Sequence, residues 1–340
     1  MSNVILKDKT VLVTGGAGFI GSELSRQLRD AGARVVIVDN LANGKRENVA
    51  EILNAQCQLE TEDIRDYSRM EKLLRGVDIV FHLACLGVRH SIHSPIESHE
   101  VNAAATLHLL KMSRDLGVGR FVYVSSSEVY GTAMFVPQPE DHPTYPMTVY
   151  GAAKLAGECY SRAFQRTYNF PTVVIRPFNT YGPRSHHEGD SGEVIPKFLL
   201  RTLAGKPMVI FGDGTQTRDF TYVSDTARGI IEAGLAEAAI GETINIGSGF
   251  ELAVKDLANE VRAVTGRANA KVIHEADRPG DVLRLFSDTT KAQKLIGFKP
   301  AVTLTEGLTK LLAWYQAQGK TPEQLLEQEI VKNWEVAPKA

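Results

Sequence analysis

Residues 10–21 read Thr-Val-Leu-Val-Thr-Gly-Gly-Ala-Gly-Phe-Ile-Gly, a β-rich run that ends in glycines and passes directly into a helical pattern through Phe19, Ile20, Leu24 and Leu28. A strand that turns at once into a helix leaves the first N–H groups of that helix free, and with the helix dipole they favour a phosphate. Gly15 allows the sharp turn, Gly18 lets backbone approach a pyrophosphate, and Gly21 lets helix and strand pack closely. Gly32 is the expected helix stop. Asp39 ends the next apolar run, Arg34 to Val38. It falls about 20 residues beyond the loop, where a carboxylate accepts hydrogen bonds from ribose hydroxyls and repels a 2′-phosphate. The loop and the acid together predict a dinucleotide site for NAD rather than NADP.

Further apolar runs at 77–83, 121–125, 172–176 and 243–246 alternate with helical stretches at about 101–116 and 221–235. Near-continuous apolar strands separated by helices predict an α/β fold, a doubly wound parallel sheet covered on both faces. After Arg176 the elements shorten and Pro and Gly recur, and beyond residue 250 the pattern is helix-rich, ending in 304–315. The expected division is a nucleotide-binding domain of residues 1–178 plus about 217–247, interleaved with a smaller substrate domain of about 179–216 plus 248–340. Ligands in such sheets sit at the carboxyl ends of the strands.

The net charge of −2 carries no signature of a nucleic-acid or anionic-membrane partner. Cys57, Cys85 and Cys159 form no CxxC pair, which points to neither a metal knuckle nor a disulfide framework. His90, His93, His99, His186 and His187 cluster without a matching Cys or carboxylate set, so no metal is expected, and substrate contact stays open for His186 and His187. With no signal peptide and no apolar run of membrane-spanning length, a cytoplasmic protein is expected.

Tyr150 and Lys154 stand four apart on an expected helix and so share a face. An ammonium and a nicotinamide cation nearby would lower the phenol pKa and make Tyr150 a usable base. Upstream, Ser125-Ser126-Ser127-Glu128 closes a strand at the ligand side. Asp63 and Ile64 follow a possible third strand, where they could cap an adenine or stand as surface residues.

Eight segments then recur in order: TGGAGFIG at 14–21, DN at 39–40, HLA at 82–84, SSSEVYG at 125–131, YGAAK at 150–154, RPFNTYGPR at 176–184, TRDFTYVSD at 217–225 and RPGD at 278–281. Together they resemble the nucleotide-sugar epimerase/dehydratase family of the extended short-chain dehydrogenase/reductase superfamily. The resemblance implies a Rossmann domain that holds NAD and a C-terminal lobe that grips the nucleotide. It places Gly15, Gly18, Phe19, Ile20, Gly21, Asp39, Asn40, Asp63, Ile64, Leu83, Ala84, Tyr150, Lys154 and Pro177 with the cofactor. Arg89, Ser127, Asn179, Val194, Arg218, Arg278 and Asp281 go with the substrate; Arg218 and Arg278 suit a pyrophosphate, Arg89 reaches the substrate from the loop after the HLA segment, and Asp281 binds a ribose or orients Arg278.

The resemblance also gives Tyr150, Lys154 and a serine, Ser126 or else Ser127, the oxidation at sugar C4. Once a 4-ketosugar forms, the C5 proton is acidic, and loss of water across C5 and C6 needs a base, a role that suits Glu128. A hexose 4,6-dehydratase acting on a UDP- or dTDP-sugar is therefore the expected activity. The alternatives are a UDP-hexose 4-epimerase, a UDP-glucuronate decarboxylase, a simple reductase that releases NADH, or a non-catalytic NAD-binding relative. The family also implies a homodimer packed through helices near 100–115 and 150–168.

Overall fold

A computed structural model describes residues 6–189, 191–277 and 282–335. Its strands are β1 (Thr10–Thr14), β2 (Arg34–Val38), β3 (Cys57–Glu60), β4 (Ile79–His82), β5 (Arg120–Val124) and β6 (Thr172–Pro177). They are followed by β7 (Asn179–Tyr181), β8 (Met208–Phe211), β9 (Thr217–Arg218), β10 (Phe220–Tyr222), β11 (Thr243–Ile246), β12 (Leu252–Ala253) and β13 (Val272–Glu275). Seven of them make one sheet in the order β11-β6-β5-β4-β1-β2-β3, every pair parallel. The chain order reverses beside β1, which opens a crevice at the carboxyl ends of β1 and β4.

The strands are apolar throughout because each face is covered. Val11, Val13, Val35 and Ile37 pack with Leu24, Leu28 and Ile230 from the helices Phe19–Asp30 and Val223–Leu235. Leu12, Val38 and Val80 point the other way, onto Met70, Leu109, Leu110 and Phe164 from the helices Tyr67–Leu74, Ala105–Asp115 and Val149–Tyr168. The sequence expectation of a doubly wound parallel sheet is met.

A second apolar cluster joins the helices Val194–Leu203, Val254–Thr265 and Leu304–Gln316 to β8 through Phe198, Leu199, Met208, Leu257, Leu308 and Leu311. Leu199, Leu257, Leu308 and Leu311 have no exposed surface; each contributes about 1.5–3 kcal/mol by leaving water. Tyr181, Tyr222 and Phe19 belong to the same cluster, so it is anchored at the carboxyl end of the large sheet. Three two-stranded sheets, β7 with β10, β9 with β12 and β8 with β13, complete this region.

Two elements differ from expectation. The helix expected at about 101–116 opens as a π turn, Glu100–Ala104, before its α-helical part. There Asn102 clamps the loop after β4, donating to the Leu86 carbonyl and accepting from the Leu86 amide, both at 2.9 Å. The helix expected from residue 221 starts at Val223, because Phe220–Tyr222 pairs with β7. Among the described residues no helix is long and apolar enough to cross a membrane.

Candidate active site

The glycine loop is shaped by contacts that leave no room for side chains. Gly15 has φ +68°, and a Cβ there would fall 2.7 Å from the Ala84 amide nitrogen. A Cβ on Gly21 would fall 2.1 Å from the Gly15 carbonyl oxygen, so only glycine lets the helix begin this close to its strand. Gly18 is the N-cap of the Phe19–Asp30 helix and supplies no capping side chain, which leaves the first N–H groups facing the crevice. Asp39 accepts from the Ala17 amide at 3.0 Å and the Leu41 amide at 2.9 Å. Burial raises its pKa, and these amides pull against the rise. Asn40 donates to Asp63 at 3.0 Å. Asp63 is held down to about 2, chiefly by hydrogen bonds from Arg65.

From this loop a cavity of about 1070 Å³ runs along the carboxyl ends of the strands. Gly15, Gly18, Phe19, Ile20, Gly21, Asp39, Asn40, Asp63, Ile64, Leu83, Ala84 and Pro177 line it, and so do Ser126, Ser127, Glu128, Tyr150 and Lys154. Arg89, Asn179, Val194 and Arg218 line its far part. Arg278 and Asp281 lie outside the described residues. His186 lines the cavity, whereas His187 packs edge-on against Tyr315 beside Glu188. Among the described residues no group of three or more His, Cys, Asp or Glu is arranged to hold a metal ion.

Thr148 caps the Val149–Tyr168 helix, accepting from the Gly151 amide at 3.1 Å, and so sets Tyr150 in the first turn, facing the end of β5. Ser126 caps the short turn after β5 and accepts from the Glu128 amide at 3.2 Å. A Cβ on Gly151 would fall 2.9 Å from the Glu128 carbonyl oxygen, so the turn carrying Glu128 packs directly on the tyrosine helix. Lys154 is buried; its Nζ donates to the Val124 carbonyl at 2.8 Å and lies 6.0 Å from the centre of the Tyr150 ring.

In the protein alone burial pushes the Tyr150 phenol well above its ordinary value. The charges of Cys85 and Glu128 add to the rise, and the Ser126 hydroxyl opposes it. Burial meanwhile lowers the Lys154 pKa. Ser126, rather than Ser127, is the serine whose hydroxyl opposes the rise at Tyr150.

Behind these groups Glu158, with no exposed surface, receives the Arg176 guanidinium at 2.8 and 2.7 Å and the Ser125 hydroxyl at 2.6 Å. The three residues tie the tyrosine helix to β6 and to the end of β5. His82 is wedged between Thr14 at 2.6 Å and Thr106 at 2.9 Å. Burial, helped by the Lys154 charge, lowers its pKa to about 3, so it stays neutral.

Arg218 lies in the cavity wall, where its Nη1 donates to the Thr217 and Val282 carbonyls, both at 2.7 Å. Asn179 Oδ1 is buried without a hydrogen-bond partner among the described residues, which suits a ligand donor. Cys85 and Glu193 are among the cavity residues that the sequence did not assign. Cys85, one residue past the HLA segment, is among the groups that act on Tyr150 and Lys154. Glu193, just before the Val194–Leu203 helix, is raised by burial to about 8, with Arg89 opposing the rise.

A carboxyl raised in the folded state favours folding at low pH, and that contribution is lost as the unfolded chain ionises first. From pH about 4.5 up to about 8 this group therefore weakens the fold progressively, and above 8 the loss is complete. Glu193→Gln removes the effect. Denaturant unfolding is expected to show the variant gaining about 2 kcal/mol over the parent at pH 9 relative to pH 5, a figure reduced for partial exposure. An equal difference at both pH values would rule out a neutral Glu193.

The sequence matches the GDP-mannose 4,6 dehydratase family over residues 12–311. A putative UDP-glucose 4-epimerase of Methanocaldococcus jannaschii is 35% identical over 314 residues, spanning 92% of this chain and 100% of that one. The UDP-N-acetylglucosamine 4-epimerase of Methanobrevibacter ruminantium, in complex with UDP-N-acetylmuramic acid, superposes with a TM-score of 0.87 at 34% identity, covering 92% and 99% of the two chains. The dTDP-glucose 4,6-dehydratase of Streptomyces venezuelae, solved with NAD bound, gives 0.85 at 34% identity over 91% and 97%. The glycine loop, the Tyr150-Lys154 helix and these whole-length matches agree: the chain belongs to the nucleotide-sugar epimerase/dehydratase family of the extended short-chain dehydrogenase/reductase superfamily.

Proposed function

We propose that the protein is an NAD-dependent nucleotide-sugar 4,6-dehydratase acting on a UDP- or dTDP-hexose. The observation that carries this reading is the carboxylate of Glu128, set in the cavity close enough to Tyr150 to act on its charge. NAD, held by the glycine loop and Asp39, would supply the acceptor that takes hydride from sugar C4 and gives it back at C6. Tyr150 takes the C4 hydroxyl proton while Ser126 hydrogen-bonds the same oxygen. Lys154 binds the ribose beside the nicotinamide and keeps the phenol oriented. Glu128 then removes the C5 proton of the 4-ketosugar and delivers it to the departing C6 hydroxyl, so that water leaves. A solvent proton replaces the one lost at C5.

Arg218 and Arg278, with Arg89 nearer the sugar, hold the anionic diphosphate, and Asn179 offers its free acceptor to the ligand. A homodimer packed through the helices Ala105–Asp115 and Val149–Tyr168 accords with the exposed side chains of Leu107 and Tyr168 there; light scattering is expected to give twice the chain mass.

A second reading, a 4-epimerase, draws support from the names of several relatives. The two separate at Glu128, because epimerisation returns hydride to C4 and needs no C5 base. Glu128→Gln is expected to slow turnover by about 10²–10⁴-fold while sugar-dependent reduction of the bound nicotinamide persists in single-turnover absorbance. Turnover within a few-fold of the parent would exclude Glu128 as the C5 base and favour the epimerase.

A further inference from the structure

The far end of the cavity is closed by a part of the chain that the family match, ending at residue 311, does not reach. Glu329, Val331, Asn333 and Trp334 stand in the cavity wall. Their segment is fastened along the loop and helix opposite. Gly189 donates to the Gln328 carbonyl at 2.8 Å, and Lys197 Nζ to the Ile330 carbonyl at 2.8 Å. Glu329 pairs with Arg201 at 2.9 Å, the two side chains only 7% and 11% exposed. Asn333, buried, donates to the Gly192 carbonyl at 3.1 Å. A shielded ion pair and buried hydrogen bonds hold a segment in one place far better than exposed contacts do.

This fastening brings Trp334 to Phe211, at the end of β8, with ring centres 4.6 Å apart and planes at 82°. The pair forms an aromatic corner whose two rings are partly exposed and line the cavity. Val209, Ile210 and Val282 make the surrounding wall apolar, while Arg218 lies on the same wall. A flat heteroaromatic ring attached to an anionic chain matches such a corner, since faces and edges of aromatic rings attract one another and a guanidinium suits phosphate oxygens.

We infer that the segment 328–334 is a base-binding wall, with Trp334 and Phe211 taking the nucleobase of the substrate. The inference rests on the nucleotide-sugar reading proposed above. It makes Trp334 a binding residue for this chain's own substrate, contributed from outside the stretch matched by the family.

Trp334 is one of two tryptophans, the other being Trp314 on the Leu304–Gln316 helix. A Trp314→Phe background therefore isolates its fluorescence in the NAD-loaded protein. Titration with UDP and with dTDP is expected to quench that signal. Measured by titration calorimetry, which needs no tryptophan, Trp334→Leu, which keeps apolar bulk without a flat ring, is expected to raise the nucleotide Kd about tenfold or more. The KM for the nucleotide-sugar should rise in step, and kcat should fall far less. Trp334→Phe, which restores a flat ring, is expected to recover most of the affinity and shows that the segment still folds. Unchanged Kd values in Trp334→Leu, with UDP or dTDP still binding, would overturn the base-binding wall and leave the nucleotide-sugar reading standing. If UDP, dTDP, GDP and CDP all fail to bind the parent protein, that reading falls and this inference falls with it.

Discussion

Tyr150→Phe is expected to lower kcat by about 10³-fold while NAD stays bound at the parental stoichiometry. The substitution removes one oxygen and keeps the ring, so the packing of the Val149–Tyr168 helix is preserved. What disappears is the group that takes the C4 hydroxyl proton. The Lys154 ammonium is turned to the Val124 carbonyl and carries no free base, and a neutral serine hydroxyl at Ser126 is far too weak a base to stand in for the phenol. Burial raises the phenol pKa in the protein alone. The loss in the variant is therefore expected at every pH, whereas the parent should show an activity rise with pH. Near-parental turnover in Tyr150→Phe would remove Tyr150 from the chemistry.

Glu158→Ala carries the largest expected effect on stability, a loss of about 3–5 kcal/mol in denaturant unfolding. Burial pushes this carboxyl up, but hydrogen bonds from Arg176 and Ser125 and the charge of Arg162 outweigh that and hold it below its ordinary value. A carboxyl with a depressed pKa stabilises the fold above the unfolded value of 4.5, and that contribution is lost as pH falls through the folded value. The penalty of Glu158→Ala should accordingly be largest near neutral pH and shrink in acid. It arises less from the lost attraction than from the Arg176 guanidinium, whose side chain is 3% exposed and would be left without its carboxylate. A loss under 1 kcal/mol would show that water reaches the guanidinium when the carboxylate is gone.

The cofactor half of the site was legible because it is local. Gly15, Gly18 and Gly21 follow their strand directly, and the contacts that forbid a Cβ at Gly15 and Gly21 are the reason for that spacing. Asp39 lies one strand away, and Tyr150 and Lys154 one helical turn apart. Groups that enter by tertiary placement left no such trace. Cys85 reads as one of three scattered cysteines until β4 sets it under Tyr150. Glu193 reads as a surface acid until the second apolar cluster encloses it. Trp334 lies 123 positions from Phe211 in the chain, and no periodicity joins them. The π turn at Glu100–Ala104 and the strands of two or three residues were missed because they are shorter than the windows in which a repeat of 2 or 3.6 can be seen.

The most direct test of the dehydratase assignment is the mass of the sugar product after incubation in deuterated water with UDP- and dTDP-hexoses. The expected product is lighter by one water and carries one solvent deuterium at C5, formed without net NADH. An unchanged mass with an inverted C4 and no deuterium would contradict it and make the protein an epimerase, with Glu128 confined to binding.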